Sequence, residues 1–251
     1  MENADLQSIY DQLITGIKKY FKKAGFTKAV VGVSGGVDSA LTLKLAVDAL
    51  GAENITAISM PELGVSSQIN VDHATKLCQA LEVTFFSQPI NTFLKDFTLV
   101  PWHEGTKTIP AIQNTKARIR AVLLYHYANT ANALVLGTSN KSETLLGYGT
   151  KYGDLAADIE VIGDLYKDQV FALADYVGLP REIIEKQPTA ELYEGQTDES
   201  ELGASYAEID PILKKTDRDM NPELARKVRA RIKTNAHKTK MPPIIKLKID
   251  N

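Results

Sequence analysis

The sequence holds one cysteine in 251 residues, which excludes an intrachain disulfide, a cysteine-based zinc site and a cysteine-held iron–sulfur cluster. Cys78 reads as an ordinary buried thiol. Long apolar runs are absent as well: nothing approaches the roughly 20 residues of a membrane span. The opening MENADLQSIYDQ lacks the basic-then-apolar order of a signal peptide, so the cytoplasm is the expected compartment. Neither sign of charge dominates, with 29 Lys and Arg against 31 Asp and Glu, a balance that does not fit a dedicated DNA-binding protein. Repeats, low-complexity tracts and Gly/Ser linkers are missing too. One domain over residues 1–251 is expected, large enough to bury a substantial core unaided.

What is present is an apolar content of 44%, arranged in two rhythms. Leu6, Ile9, Leu13, Ile17, Tyr20 and Phe21 recur at three- and four-residue steps, which predicts an amphipathic helix ended by Gly25. Ala29–Val33, Ile55–Met60, Val83–Ser87 and Ala133–Gly137 are short apolar runs between turn residues and read as buried strands. Helical stretches over Ala40–Leu50, Gln68–Leu81 and Gln113–Asn132 alternate with them. This order predicts an α/β fold with an open, mainly parallel sheet, helices on both faces and a ligand site at the carboxyl ends of the strands.

The helix over Gln113–Asn132 is apolar around most of its circumference and needs cover on more than one side. Deep burial and a homodimer interface both satisfy that need. Further on, Asp164 reads as the cap of a helix carrying Val170, Leu173, Ala174 and Val177. Gln187 to Gly203 holds Glu191, Glu194, Asp198, Glu199 and Glu201 with no basic residue, and reads as a mobile surface loop. Asn221 and Pro222 start a last helix. From Pro211 to Lys248, twelve Lys and Arg face three Asp and Glu; most of them are expected on a solvated face, without the interleaved aromatics of a nucleic-acid surface.

The densest chemical signal is Gly32-Val33-Ser34-Gly35-Gly36-Val37-Asp38-Ser39, placed where a strand gives way to a helix. Glycines there let the backbone approach a ligand, successive N–H groups form an anion nest, and the helix N-terminus adds partial positive charge. The Walker lysine is absent, and Asp38 stands where a carboxylate could hold Mg²⁺ against phosphates. Taken alone, the same residues also make a tight turn with Ser34 or Ser39 as a helix cap.

SGGVDS behind an apolar strand resembles the loop of the ATP pyrophosphatases. Behind it come NTKARIRA (114–121), LGTSNKSE (136–143), GYGTKYGDLAAD (147–158), DLYK (164–167), KQPTAEL (186–192), GQTDESELG (195–203) and HKTKMPP (237–243). In this order, from Val30 to Pro243, the chain resembles the NAD synthetase family.

That resemblance implies a Rossmann-like ATP pyrophosphatase fold and an ATP-dependent ligase. In the implied reaction a carboxylate of deamido-NAD attacks the α-phosphate of ATP, pyrophosphate departs, and ammonia displaces AMP. It implies ATP contacts at residues 32–39, Thr138, Lys167 and Thr189, and Mg²⁺ held by Asp38 and Glu143. Deamido-NAD contacts are implied at Arg118, Lys151, Asp158, His237 and Lys238. Physical chemistry supports several of these roles: Lys167 near a helix start is poorly placed for the helix dipole, and Mg²⁺ takes one or two carboxylates plus phosphates. Asp154 is the candidate for holding ammonium, or equally a turn aspartate bonding its own backbone. Glu143 alone would read as a helix-start carboxylate, and Thr138 as a strand-end cap.

A homodimer with the dinucleotide site near its interface is expected, with no nucleic-acid or membrane partner. Leu155, Val161 and Thr239 depart from the family pattern, where glycine, proline and arginine are frequent, and bear on loop shape more than on charge. A glutaminase domain has no room beside these motifs, so free ammonia is the expected nitrogen donor. The rival readings are another enzyme sharing the ATP loop and a nucleotide-binding sensor without turnover.

Overall fold

In a computed structural model, residues 3–102, 109–189, 193, 195–215 and 221–247 are described. Among these residues, five strands pair in parallel in the order β3-β2-β1-β4-β5. They are β1 (Lys28–Gly32), β2 (Ile55–Ser59), β3 (Thr84–Ser87), β4 (Ala133–Gly137) and β5 (Ile159–Glu160). The helices are α1 (Asn3–Ala24), α2 (Val37–Leu50), α3 (Gln68–Ala80), α4 (Asn91–Leu94), α5 (Ile109–Ala131), α6 (Lys141–Leu146), α7 (Lys167–Tyr176), α8 (Arg181–Ile184), α9 (Asp198–Leu202), α10 (Tyr206–Lys214) and α11 (Pro222–Asn235).

Strand alternation decides which core each side chain joins. Ala29, Val31, Ile55, Ala57, Leu134 and Leu136 pack with α1, α2 and α7 on one face, while Val30, Ile58 and Val135 pack with α5 on the other. Burial on both faces is why β4 is apolar throughout and β2 carries only the small hydroxyl residues Thr56 and Ser59 besides apolar ones; every residue of both is buried. A third cluster joins α6, α10 and α11 beside the sheet. The chain builds β1, β2 and β3 outward in one direction and then crosses to lay β4 on the other side of β1. The crevice at the carboxyl ends of β1 and β4 is therefore a topological switch point, where open α/β sheets place ligands.

Several boundaries differ from the sequence reading. The phosphate loop is shorter, because α2 starts at Val37 rather than Ala40, and α5 starts early as well, at Ile109 rather than Gln113. Asp164 does not cap α7; its carboxylate takes the Lys141 ammonium at 2.6 Å. The first N–H groups of α7 are met from outside: Lys167 N–H donates to Ser142 Oγ (3.0 Å) and Asp168 N–H to Asp210 of α10 (3.1 Å). The acidic stretch is not simply a surface loop either. Asp198 and Gln196 are buried, because Tyr148 and Tyr206 hydroxyls both donate to the Asp198 carboxylate, at 3.1 and 3.2 Å. Glu191 and Glu194 lie outside the described residues, as do Asp217, Arg218, Asp219 and Lys248. On α5, Val122 is 67% exposed, so none of the described residues covers the helix there. No helix among the described residues is long and apolar enough to cross a membrane.

Candidate active site

A cavity of about 450 Å³ opens at the switch point. It is lined by Gly32, Val33, Ser34, Gly36, Val37, Asp38 and Ser39 of the phosphate loop, and by Thr138, Glu143, Asp154, Lys167, Thr189 and Lys238. The loop is internally braced: Gly36 N–H donates to Ser34 Oγ (3.2 Å), Ser34 N–H to Ser39 Oγ (3.3 Å), and Ser39 Oγ to the Gly36 carbonyl (3.0 Å). Gly35 has φ +79°, and a Cβ there would stand 2.2 Å from the Asn70 carbonyl oxygen, so only glycine fits.

Local sequence brings the charged groups together. Asn140 and Glu143 form a capping box at the start of α6, with Glu143 N–H donating to Asn140 Oδ1 at 2.9 Å. The buried Asn140 amide then donates to Asp38 Oδ1 at 2.8 Å, which sets the two carboxylates side by side. Lys167, 1% exposed, joins them. Its ammonium lies 2.5 Å from Asp38 Oδ2 and 3.2 Å from Glu143 Oε1, above the Phe171 and Tyr206 rings. Burial pushes the Glu143 carboxyl up to about 8, with Lys167 opposing the rise and Asp38 adding to it. Burial also lowers the Lys167 pKa, but Asp38 and Glu143 outweigh it and hold the ammonium above the ordinary lysine range. With Glu143 ionised, a state that a cation beside it favours, two carboxylates against one ammonium leave surplus negative charge that fits a divalent cation.

Asp154 lines the same cavity and accepts the Thr150 N–H at 2.9 Å. Burial raises its pKa, while Thr150 and the Lys238 charge oppose the rise. Lys238 donates to the Gly147 and Gly149 carbonyls, each at 3.0 Å, and so ties the chain after α11 to the loop carrying Asp154.

Three further motif residues form a chain beside the cavity. Arg118 Nε donates to the Lys151 carbonyl (3.3 Å) and Lys151 Nζ to the His237 carbonyl (2.9 Å). Asp158 stands apart from them. It clasps β4, accepting the Val135 N–H at 2.7 Å and returning its own N–H to the Val135 carbonyl at 2.9 Å. The sequence reading passed over Lys186, Asp198, Glu201, Arg120 and Arg231, all of which line the cavity. Lys186, Asp198, Glu201 and Arg120 lay inside motif blocks, Arg120 two residues after the named Arg118, while nothing sets Arg231 apart from other basic residues of its helix.

An α/β sheet with a phosphate loop, a carboxylate pair and a buried ammonium at its switch point defines a nucleotide-using enzyme. The chain belongs to the NAD synthase family, whose profile matches residues 9–242. It is 43% identical over 246 residues to the NH(3)-dependent NAD(+) synthetase of Archaeoglobus fulgidus, covering 97% of this chain and 98% of that one. Among solved structures it resembles the NH3-dependent NAD synthetase of Campylobacter jejuni, with a TM-score of 0.83, 36% identity, and 98% and 100% of the two chains covered. It also resembles the NMN synthetase of Francisella tularensis, with a TM-score of 0.90, 30% identity, and 96% and 99% covered.

Proposed function

We propose that the chain makes NAD from deamido-NAD, ATP and free ammonia, in the cytoplasm. The observation that carries this reading is the meeting of Asp38, Glu143 and Lys167 in the cavity that also takes Asp154. Residues 32–39, Thr138 and Thr189 bind ATP, and Asp38 with Glu143 would hold Mg²⁺, which supplies charge neutralisation for the phosphates. The nicotinate carboxylate attacks the α-phosphate, the bond to the β-phosphate breaks, and both of its electrons leave with pyrophosphate. Lys167 offsets the charge that builds on that leaving group.

Adenylation turns a carboxylate with no good leaving group into an activated acyl group, from which ammonia expels AMP. Asp154 binds ammonium and accepts its proton; a buried carboxyl with a raised pKa is a better base for that task than an exposed one. Arg118, Lys151 and Lys238 present positive charge to the acidic dinucleotide, His237 offers its imidazole beside them, and Asp158 fixes the end of the segment carrying Lys151 to β4. The open face of α5 pairs with a second copy, placing the dinucleotide site near a homodimer interface.

The likeness to the NMN synthetase favours one other reading, a mononucleotide acceptor in the same chemistry. One assay tests both: ATP and Mg²⁺ with deamido-NAD or nicotinate mononucleotide, and ammonium or glutamine as nitrogen donor. NAD formed from deamido-NAD with ammonium alone is the expected result. Faster turnover of the mononucleotide would replace the acceptor, and equal use of glutamine would overturn the ammonia reading.

A further inference from the structure

Arg231 of α11 lines the cavity with its hydrogen-bonding capacity largely unused. Its Nη1 reaches the Glu201 carbonyl only at 3.5 Å, and its Nε is buried with no acceptor among the described residues. Nor does a carboxylate among them form an ion pair with it: the Glu201 carboxylate is taken by Tyr148, Tyr193 and Gln196, at 2.9, 3.0 and 3.1 Å. A buried donor without an acceptor lowers stability, a cost that an acceptor arriving with a ligand would remove. The helix holds the guanidinium in this place. One turn beyond Arg231, Asn235 donates to the Leu146 carbonyl at 3.1 Å and packs so closely that a Cβ on Gly147 would stand 2.2 Å from its own. Arg231 thereby lies over the Tyr148 ring, 5.4 Å from its centroid, while Lys238 holds the Gly147 and Gly149 carbonyls on either side of the same tyrosine. The two cations repel each other: burial lowers the Lys238 pKa, Arg231 lowers it further, and Asp154 opposes them. Like charges gathered beside a cavity fit an anion.

The neighbours say which anion. On one side the Tyr148 hydroxyl leads to Asp198, whose charge feels Lys167 and Asp38, the groups that face the departing pyrophosphate. On the other, Lys238 leads to Asp154, the group that holds ammonium. Between leaving pyrophosphate and incoming ammonia stands the phosphate that both steps share. We propose that Arg231 binds the α-phosphate of ATP and keeps hold of it in the adenylated intermediate. Its planar guanidinium offers Nε and a terminal nitrogen as a fork to two oxygens of one phosphate. In the first step the acceptor's carboxylate oxygen bonds to phosphorus, and the bond to pyrophosphate breaks with its electrons. In the second, ammonia bonds to the acyl carbon, the acyl C–O bond breaks with its electron pair on the AMP phosphate, and the nitrogen yields its surplus proton to water. Arg231 offsets the charge on that phosphate in both steps. This inference rests on the adenylation half of the proposed function and is independent of which acceptor is used.

The test is calorimetric binding of AMP, of pyrophosphate with Mg²⁺, and of deamido-NAD to the wild-type chain and to Arg231→Gln. Loss of a charge-assisted contact predicts AMP binding weakened about 10- to 100-fold, with pyrophosphate and deamido-NAD within about twofold of wild type. Unchanged AMP binding would overturn the proposal. So would a matching loss of deamido-NAD, which would move Arg231 to the dinucleotide, or of pyrophosphate, which would move it to the terminal phosphates. Equal weakening of all three would make Arg231 a brace between α11 and Tyr148. Should Arg231→Gln not fold, Arg231→Lys carries the test: retained charge keeps AMP within about tenfold and leaves the other two unchanged, whereas a lost brace weakens all three alike. A chain whose AMP binding depends on Arg231 but which makes no NAD would remove the acceptor reading and leave this one standing; NAD formation with AMP binding indifferent to Arg231 would do the reverse.

Discussion

An ammonium with 1% exposure is tolerable at Lys167 only because Asp38 and Glu143 meet it there. Taking one member from a buried charge pair strands the others, at a cost of about 3–5 kcal/mol. Lys167→Ala is therefore expected to lower stability by about that amount and to abolish ATP-dependent pyrophosphate release. The two losses have different origins and separate in a double variant. Adding Asp38→Asn to Lys167→Ala removes a stranded charge and recovers part of the stability, while pyrophosphate release stays absent. Urea unfolding read beside a pyrophosphate assay checks this. A Lys167→Ala chain as stable as wild type would show that the pair is not desolvated, and a double variant that regained turnover would remove Lys167 from the chemistry.

Elements with a strong period were legible in the sequence and short ones were not. β1, β2 and β4 are buried on both faces, so their apolar runs announced them within a residue or two. β5 has two residues, too few for a period, and α9 lies in an acidic stretch whose composition argues for solvent. Contacts with Tyr148 and Tyr206, distant in sequence or on the next helix, bury its first residue. α5 was legible as a helix needing two-sided cover, and the fold supplies one side: Ile119 and Ala128 pack on the sheet, while Val122 is 67% exposed. If a second copy covers Val122, a charge there is desolvated without a partner. Val122→Glu is expected to convert a dimer into a monomer by light scattering, with weaker deamido-NAD binding and unchanged pyrophosphate binding. A monomeric wild type, or a variant that stays dimeric, would move the interface off α5.

Across the whole molecule, the site was legible wherever its residues sit in compact motifs. Its assembly was not, since the capping box, Lys167 and Lys186 reach the phosphate loop from sequence separations of 102, 129 and 151 residues. What assembly adds is electrostatic: the fold gathers carboxylates at one end of the sheet and holds them out of bulk water. Burial pushes Glu143 up to about 8 and, beside β4, Glu160 up to about 7; Asp154 and Asp198 are raised by the same cause. A carboxyl with a raised folded pKa binds a proton on folding. Its stabilising contribution is complete below the ordinary value near 4.5 and is lost as pH rises through about 7 to 8. The ligand-free chain is accordingly expected to be less stable to urea at about pH 8 than at about pH 5.5, because the unfolded state holds fewer protons over that window. Glu160→Gln, which keeps an acceptor for the Ser139 N–H, flattens the decline, and Mg²⁺ with ATP raises stability more at the higher pH, where more of the carboxylate charge that the cation neutralises is formed. Stability that held level or rose across this range would mean that solvent already reaches these carboxylates.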